Sequence, residues 1–175
     1  GLTLYQDTGD YGGAQETFNR ALAIAQREKD PALEMRTLAN AANVHFYHMR
    51  PREVLEKGLQ AIELAHHADD PRTEALVLSH IVRTLDLMGD HEGAERHAGA
   101  MLAVAERLRD GSLLAQALWL NGTLSHHGGN WQAGRAFLDR SLALTPLDPR
   151  LSCTRTAMEY EVGDFGQGEA YLERL

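Results

Sequence analysis

GNWQAGRAFLDR at 129–140 and GDFGQGEAYLER at 163–174 are two segments of this chain that align residue for residue. Each opens with a glycine, then an acidic or amide residue, then a ring. The same opening occurs as GDY at 9–11 and GDH at 89–91, and MRP at 49–51 fills the remaining slot. The starts near 9, 49, 89, 129 and 163 give three equal steps in residue number and a shorter last one. Self-similarity at a fixed period indicates a repeat architecture.

Further columns keep this register. An apolar residue recurs as Leu22, Ile62, Leu102 and Leu142, and Asp-Pro recurs as Asp30-Pro31 and Asp70-Pro71, with Asp110-Gly111 as the next member. Apolar residues within each unit are spaced as on one face of a helix, and no segment alternates with period two. We therefore predict an all-α fold, with helices at 11–28, 31–48, 51–68, 71–88, 91–109, 112–127, 131–145, 149–162 and 165–175, and a remnant at 2–8.

Local signals support these helix boundaries. Asp30 and Asp70 can accept hydrogen bonds from free amides of the first turn, and the prolines that follow suit the first helical position. Glycines 9, 89, 129 and 163 suit turns in which φ is positive.

These residues resemble the tetratricopeptide repeat. The matching positions in the first unit are Gly9, Asp10, Tyr11, Ala14, Phe18, Ala21 and Leu22, and in the fourth Gly129, Trp131, Phe137, Leu142 and Pro146. The resemblance covers essentially the whole chain and implies a right-handed α-α superhelix, a solenoid of antiparallel helix pairs. The departures are the MRP turn and the three long steps, since only the last step has the usual length of the family. Longer units with Asp-Pro between them are similar to those of bacterial regulators of the LuxR and maltose-activator type.

Composition narrows the classes of partner. The 175 residues include 17 Lys+Arg and 25 Asp+Glu, a formal net charge of −8, so we expect this segment to bind no nucleic acid. No apolar stretch is long enough for a membrane span and no leader peptide is recognisable, so we expect a cytoplasmic protein. One cysteine, Cys153, permits no internal disulfide.

The sequence favours a non-catalytic protein without a cofactor. It contains no G-x-x-x-x-G-K-[ST] loop, no G-x-S-x-G elbow and no H-E-x-x-H motif. Cys153 is interpreted as a small buried or groove residue. His45 and His48 share a helix face, but no cysteine and few nearby carboxylates are available to complete a metal site. His66 and His67 are interpreted as residues that favour a helix C-terminus.

A polar stripe gives the candidate binding site. The first helix of each unit lines one concave wall of such an array, and the stripe outside the core is its natural ligand surface. The candidate partner-binding residues are Arg36, Asn40, Asn43, Tyr47, His80, Arg83, Gln116, Trp119, Thr123 and His127. Asparagine and arginine can bind a peptide backbone or a carboxylate, and aromatic residues add contact area. The lysine and asparagine carboxylate clamp of the family is not present in this register.

We expect residues 1–175 to form a single array with partial units at both ends, cut from a longer protein or sealed by self-association. Tyr171, Leu172 and Leu175 would then be partly uncovered. Two functions remain open. One is an interaction module in a bacterial transcriptional or signalling regulator, which contacts a partner, a peptide or flanking domains of its own chain. The other is a free-standing adaptor or scaffold. Small-molecule sensing in the groove is compatible with the first.

Overall fold

A computed structural model describes residues 2, 6 and 8–175, and this part of the chain is built from helices. We number them α1 to α9 in chain order: Tyr11–Glu28, Pro31–Tyr47, Pro51–His67, Pro71–Leu87, His91–Leu108, Gly111–His127, Trp131–Leu144, Pro149–Glu161 and Phe165–Leu172. Among the described residues none lies in a β-strand. The predicted all-α class is confirmed.

The predicted helix boundaries are close to the observed ones. Most differ by a single position, and the largest difference is at α9, which ends at Leu172 and not at 175. In the predicted remnant at 2–8, Leu2, Gln6 and Thr8 are helical, and the other positions lie outside the described residues.

Side-chain caps begin nearly every helix. The carboxylates of Asp30 and Asp70 accept hydrogen bonds from the amides of Leu33 and Thr73, as predicted. The same role is taken by Asp10, Asp90, Asp110, Asn130, Asp148 and Asp164. The exception is α3, where Arg50 makes no side-chain cap and Pro51 occupies the first turn.

Left-handed turn residues recur at a fixed interval. Residues with positive φ are equally spaced along the chain from 9 to 129, and one more is found at 163. They are Gly9, Lys29, Met49, Asp69, Gly89, Arg109, Gly129 and Gly163. Glycine reaches this conformation without steric cost, whereas Lys29 and Met49 adopt it despite their Cβ atoms. The backbone therefore repeats even at the MRP turn, where the sequence does not.

The chain divides into two compact units, residues 1–97 and 98–175. In the first unit, α1 packs on α2, α2 on α3 and α3 on α4, while α2 also contacts α4. Ala14 and Phe18 of α1 form a buried cluster with Ala41 and Val44 of α2. Leu78, Ile81, Val82 and Leu85 form a buried apolar stripe on α4.

The second unit repeats this packing order, with α6 on α7, α7 on α8, α8 on α9, and α6 also against α8. Its central cluster is formed by Leu138, Leu151 and Met158. One expectation was wrong in this unit. Tyr171 is buried, because the guanidinium groups of Arg155 and Arg174 lie 4.9 and 4.8 Å from its ring centroid. Leu172 and Leu175 are exposed, as predicted.

Candidate binding groove

Helices α2 and α4 line a pocket of about 280 Å³ in the first unit. Each helix contributes four residues at i, i+3, i+4 and i+7, which is the spacing of one helix face. The lining residues are Arg36, Ala39, Asn40 and Asn43 of α2, and Thr73, Leu76, Val77 and His80 of α4. We call this space the polar pocket. Four of the ten residues predicted for partner binding, namely Arg36, Asn40, Asn43 and His80, lie in it.

Two buried polar atoms of this pocket have no hydrogen-bond partner. They are Oδ1 of Asn43 and Nδ1 of His80, which stand on the two facing helices. A buried polar atom that is left unpaired costs about 1–3 kcal/mol, so folded proteins leave few of them. Two residues that line the polar pocket therefore carry buried polar atoms whose hydrogen-bonding capacity is unused.

His80 is held in its neutral form. Burial, and to a lesser degree the positive charge of Arg83, lowers its pKa to about 4. Its ring lies 5.4 Å from that of Phe46, and the Arg83 guanidinium lies 4.3 Å from the centroid of the same phenyl ring. A neutral imidazole has one donor and one acceptor nitrogen, so His80 can pair with a group that has either character.

The depressed pKa of His80 predicts a loss of stability in acid. The unfolded chain takes up a proton near pH 6.5, whereas the folded chain resists it until about pH 4, so the unfolded state binds more protons between these values. Stability should therefore fall by about 2 kcal/mol as the pH drops from about 6.5 to about 4.5. Urea denaturation of the wild-type chain and of His80→Phe at both pH values checks this. The variant should lose less than the wild type, and equal losses would contradict the prediction.

Other predicted residues lie outside the polar pocket. Tyr47 is exposed at the end of α2, and Arg83 stacks on Phe46. The remaining four are on α6 of the second unit. There, Trp119 donates a hydrogen bond from Nε1 to Thr154 Oγ1 at 3.0 Å and packs against the Leu138 cluster, a structural role.

The other three residues of α6, Gln116, Thr123 and His127, are spaced at i, i+7 and i+11 and so lie on one face of the helix. Thr123 donates to the carbonyl of Trp119, Gln116 is partly buried and His127 is exposed. His127 stacks on the ring of His126 at 5.5 Å. A partner-binding role for these residues stays a prediction.

Thr73 and Val77 also line the polar pocket and were not predicted as binding residues. Both follow from the helical spacing of Leu76 and His80 on the same face of α4. Of the two alternatives given for Cys153, a buried position is wrong, because Leu151, Ser152 and Arg155 form the inner face of α8 and leave the thiol exposed.

Two histidines, His45 and His66, contact residues of neighbouring helices. His45 is buried and lies 3.1 Å through Nδ1 from the hydroxyl of Tyr11, and His66 Nε2 lies 2.8 Å from the Glu74 carboxylate. His66 and His67 stand in the last turn of α3, as predicted. In the described part of the chain, no three histidine, cysteine or acidic side chains are grouped so that they could hold a metal ion.

Packing and groove together define an all-α helical-repeat protein. The crystal structure of BtubC (BKLC) from P. vanneervenii is similar to it, with a TM-score of 0.84 and 22% sequence identity over 99% of this chain and 74% of that one. At this identity the likeness shows the fold. No family model and no curated protein matches the sequence. None of the described helices has the length and apolar character needed to cross a membrane.

Proposed function

We propose that this chain is a non-catalytic protein-interaction module of the tetratricopeptide type, which binds a segment of another polypeptide between α2 and α4. The observation that carries this proposal is the pair of unpartnered atoms, Asn43 Oδ1 and His80 Nδ1, in the polar pocket. Peptide groups are suited to them, since each has one donor and one acceptor. A peptide N–H can pair with Asn43, and His80 finds a partner in either tautomer.

The positions of the two atoms support a ligand over a structural role. Polar side chains that stabilise a fold are normally paired within it, as the Trp119 and Thr154 pair is in the second unit. In the proposed complex, Asn43 and His80 gain hydrogen bonds that they lack in the unliganded chain. Functional sites are the places where a protein is expected to keep side chains that lower its own stability.

Asn43→Leu should therefore change stability and binding in opposite directions. Leucine has nearly the same shape and removes the unpaired oxygen, so the free energy of unfolding should rise by about 1 kcal/mol. Peptides selected from a random dodecapeptide library on the wild-type chain should bind the variant at least 10-fold more weakly. Urea denaturation and fluorescence anisotropy measure the two effects.

Gln132→Leu is the control for this variant, because Gln132 is an exposed amide on α7. It should leave peptide affinity unchanged. A loss of stability in Asn43→Leu, or unchanged peptide binding, would show that Asn43 is a structural residue and would remove the main support for the proposal.

Repeat length and the Asp-Pro columns extend the proposal to the parent protein. We infer a bacterial transcriptional or signalling regulator in which this module receives a partner. Sequencing the complete gene tests this step: a helix-turn-helix or an ATPase motif encoded beside the module supports it, and a gene with neither favours a free-standing adaptor.

A further inference from the structure

A second pocket lies where α2 ends, α3 begins and α4 ends. It measures about 140 Å³. Its walls are formed by Phe46, Met49, Val54, Thr84, Leu87 and Met88. We call it the apolar pocket. An apolar cavity of about 150 Å³ can hold one molecule of benzene, so the apolar pocket has room for a single six-membered ring.

The apolar pocket has a buried floor and an exposed rim. Phe46 and Val54 are buried, whereas Met49, Leu87 and Met88 are each more than half exposed. A small molecule can therefore enter from solvent and reach buried apolar atoms. Its transfer out of water is favourable in proportion to the apolar area that it buries, and methionine side chains adapt their shape to what they contact.

This pocket lies at the repeat turn whose sequence departs from the pattern. The equivalent turns contain Gly9, Gly89, Gly129 and Gly163, all with positive φ, whereas the MRP turn has Met49 with a φ of 53°. The left-handed conformation is unfavourable for a residue with a Cβ atom, and such strain is often found at ligand sites. The side chain that glycine would lack is one wall of the apolar pocket.

Thr84 supplies one polar group to the wall. It is 3% exposed, and its Oγ1 has no hydrogen-bond partner. Other threonines within helices donate to the carbonyl four residues earlier, as Thr37 does to Leu33 at 2.7 Å and Thr123 to Trp119 at 3.0 Å. A ligand with one hydrogen-bonding group can satisfy the Thr84 hydroxyl when rotation about χ1 turns the oxygen towards the pocket, because a hydroxyl both donates and accepts.

The charge of the lining residues favours a neutral ligand. Arg50 is the charged residue among them, and its Nη1 lies 4.0 Å from Glu53 Oε1 at the surface. In the part of the chain that the structure describes, no acidic side chain lines this pocket. A charged group on the apolar floor would lose its water without gaining an opposite charge, which costs far more than burial of a hydroxyl.

We propose that the apolar pocket binds a free small molecule of the phenol class, which is an uncharged six-membered aromatic ring with one hydroxyl group. The ring contacts Phe46, Val54 and Met49, and the hydroxyl of the ligand pairs with Thr84. The rim residues Leu87 and Met88 offer no hydrogen bonds to peptide groups, so a free molecule suits the site better than a tyrosine of another polypeptide. The site is separate from the polar pocket and does not depend on the proposed function.

Titration of p-cresol into the isotope-labelled full chain, followed by NMR chemical shifts, tests this proposal. p-Cresol should bind with a dissociation constant of about 1 mM or below. Toluene, which lacks the hydroxyl, should bind at least about threefold more weakly. No binding at about 10 mM p-cresol, or equal affinity for toluene, would overturn the proposal. N-acetyltyrosine amide should bind more weakly than p-cresol, and tighter binding would overturn a free molecule in favour of a tyrosine of a partner.

Thr84→Val tests the polar contact, because valine keeps the shape of threonine and removes the hydroxyl. The variant should bind p-cresol no more tightly than toluene. Thr123→Val is the matched control, since the Thr123 hydroxyl is already paired within α6, and it should keep the preference for p-cresol. A preference for p-cresol that survives in Thr84→Val would overturn the assignment of the site.

Met49→Gly tests the wall at the MRP turn. It should lower the affinity for p-cresol at least about fivefold, because the ligand loses apolar contact area. Lys29→Gly is the matched control, since Lys29 is also left-handed but does not line the pocket, and it should bind normally. Glycine adopts positive φ without steric cost, so both variants should fold. Unchanged affinity in Met49→Gly would show that p-cresol binds elsewhere and would overturn the proposal.

Discussion

Glu159→Ala should destabilise the second unit by about 3–5 kcal/mol. Glu159 is completely buried on α8 and accepts hydrogen bonds from two arginines. Nε of Arg135 is 3.0 Å and Nη2 of Arg155 is 2.9 Å from its carboxylate. Loss of the carboxylate leaves the Arg155 guanidinium, in a residue only 5% exposed, with Asp139 at 3.6 Å as its ion-pair partner.

The loss of the Glu159 carboxylate destabilises the protein strongly because the Arg155 guanidinium already lacks some of its hydrogen-bond partners. Its Nε and Nη1 atoms are buried without hydrogen-bond partners. An uncompensated charge in a low-dielectric interior costs several kcal/mol, whereas replacing a whole ion pair by apolar side chains is often neutral. The double variant Arg155→Met with Glu159→Leu should therefore be more stable than Glu159→Ala alone.

Chemical denaturation followed by circular dichroism measures both variants. Glu106→Ala is the control, because Glu106 pairs with Arg140 at 3.4 Å on the surface with both side chains about half exposed. A pair of this kind contributes less than about 1 kcal/mol. A cost for Glu159→Ala as small as that of the control would show that water reaches the buried carboxylate.

Leu138→Ala should cost about 2–5 kcal/mol, and the cost should depend on the glycine opposite to it. Leu138 is completely buried in the cluster with Leu151 and Met158. A Cβ atom added at Gly122 of α6 would lie 2.8 Å from Leu138 Cγ and 3.3 Å from the carbonyl oxygen of Gly134. The two helices approach closely because Gly122 has no side chain, so Gly122→Ala alone should cost about 1–3 kcal/mol.

The double variant tests whether these two costs share one cause. Shortening Leu138 makes room for the methyl group that Gly122→Ala adds, so the combined cost should fall short of the sum by at least about 1 kcal/mol. Gly99→Ala is the matched control, since nothing lies within 4 Å of a Cβ at that helical position. It should stabilise the chain by up to about 1 kcal/mol. Strict additivity would mean that α6 and α7 move apart to admit the methyl group.

Much of the fold could be predicted because its determinants are local. Asp30 with Pro31, and Gly89 with Asp90, indicate where one helix ends and the next begins, and the apolar columns indicate which face is buried. The left-handed conformations of Lys29, Asp69 and Arg109 could not be predicted. None of these residue types favours positive φ as glycine does, so the residue alone gives no signal for this conformation.

The candidate site could be predicted in part. Helical spacing placed Arg36, Asn43 and His80 on the correct faces of α2 and α4. The sequence could not show that the polar atoms of Asn43 and His80 lack partners, since that depends on which side chains the facing helix presents. The burial of Tyr171 was missed for the same reason, because two arginine side chains from different parts of the second unit cover its ring.

The regular interval between left-handed turns bears on how such a chain can grow. Two successive intervals of this series span one repeat unit, which consists of a first and a second helix. Duplication or loss of one complete unit therefore keeps the alternation of first and second helices. A change by a single interval would exchange the two kinds of helix. Complete units can therefore be exchanged at any pair of equivalent turns before Gly129. After Gly129 the spacing differs, because the next such glycine is Gly163. The even spacing of the turns from 9 to 129 is therefore compatible with gain or loss of complete helix pairs, whereas α7, α8 and α9 do not follow this spacing.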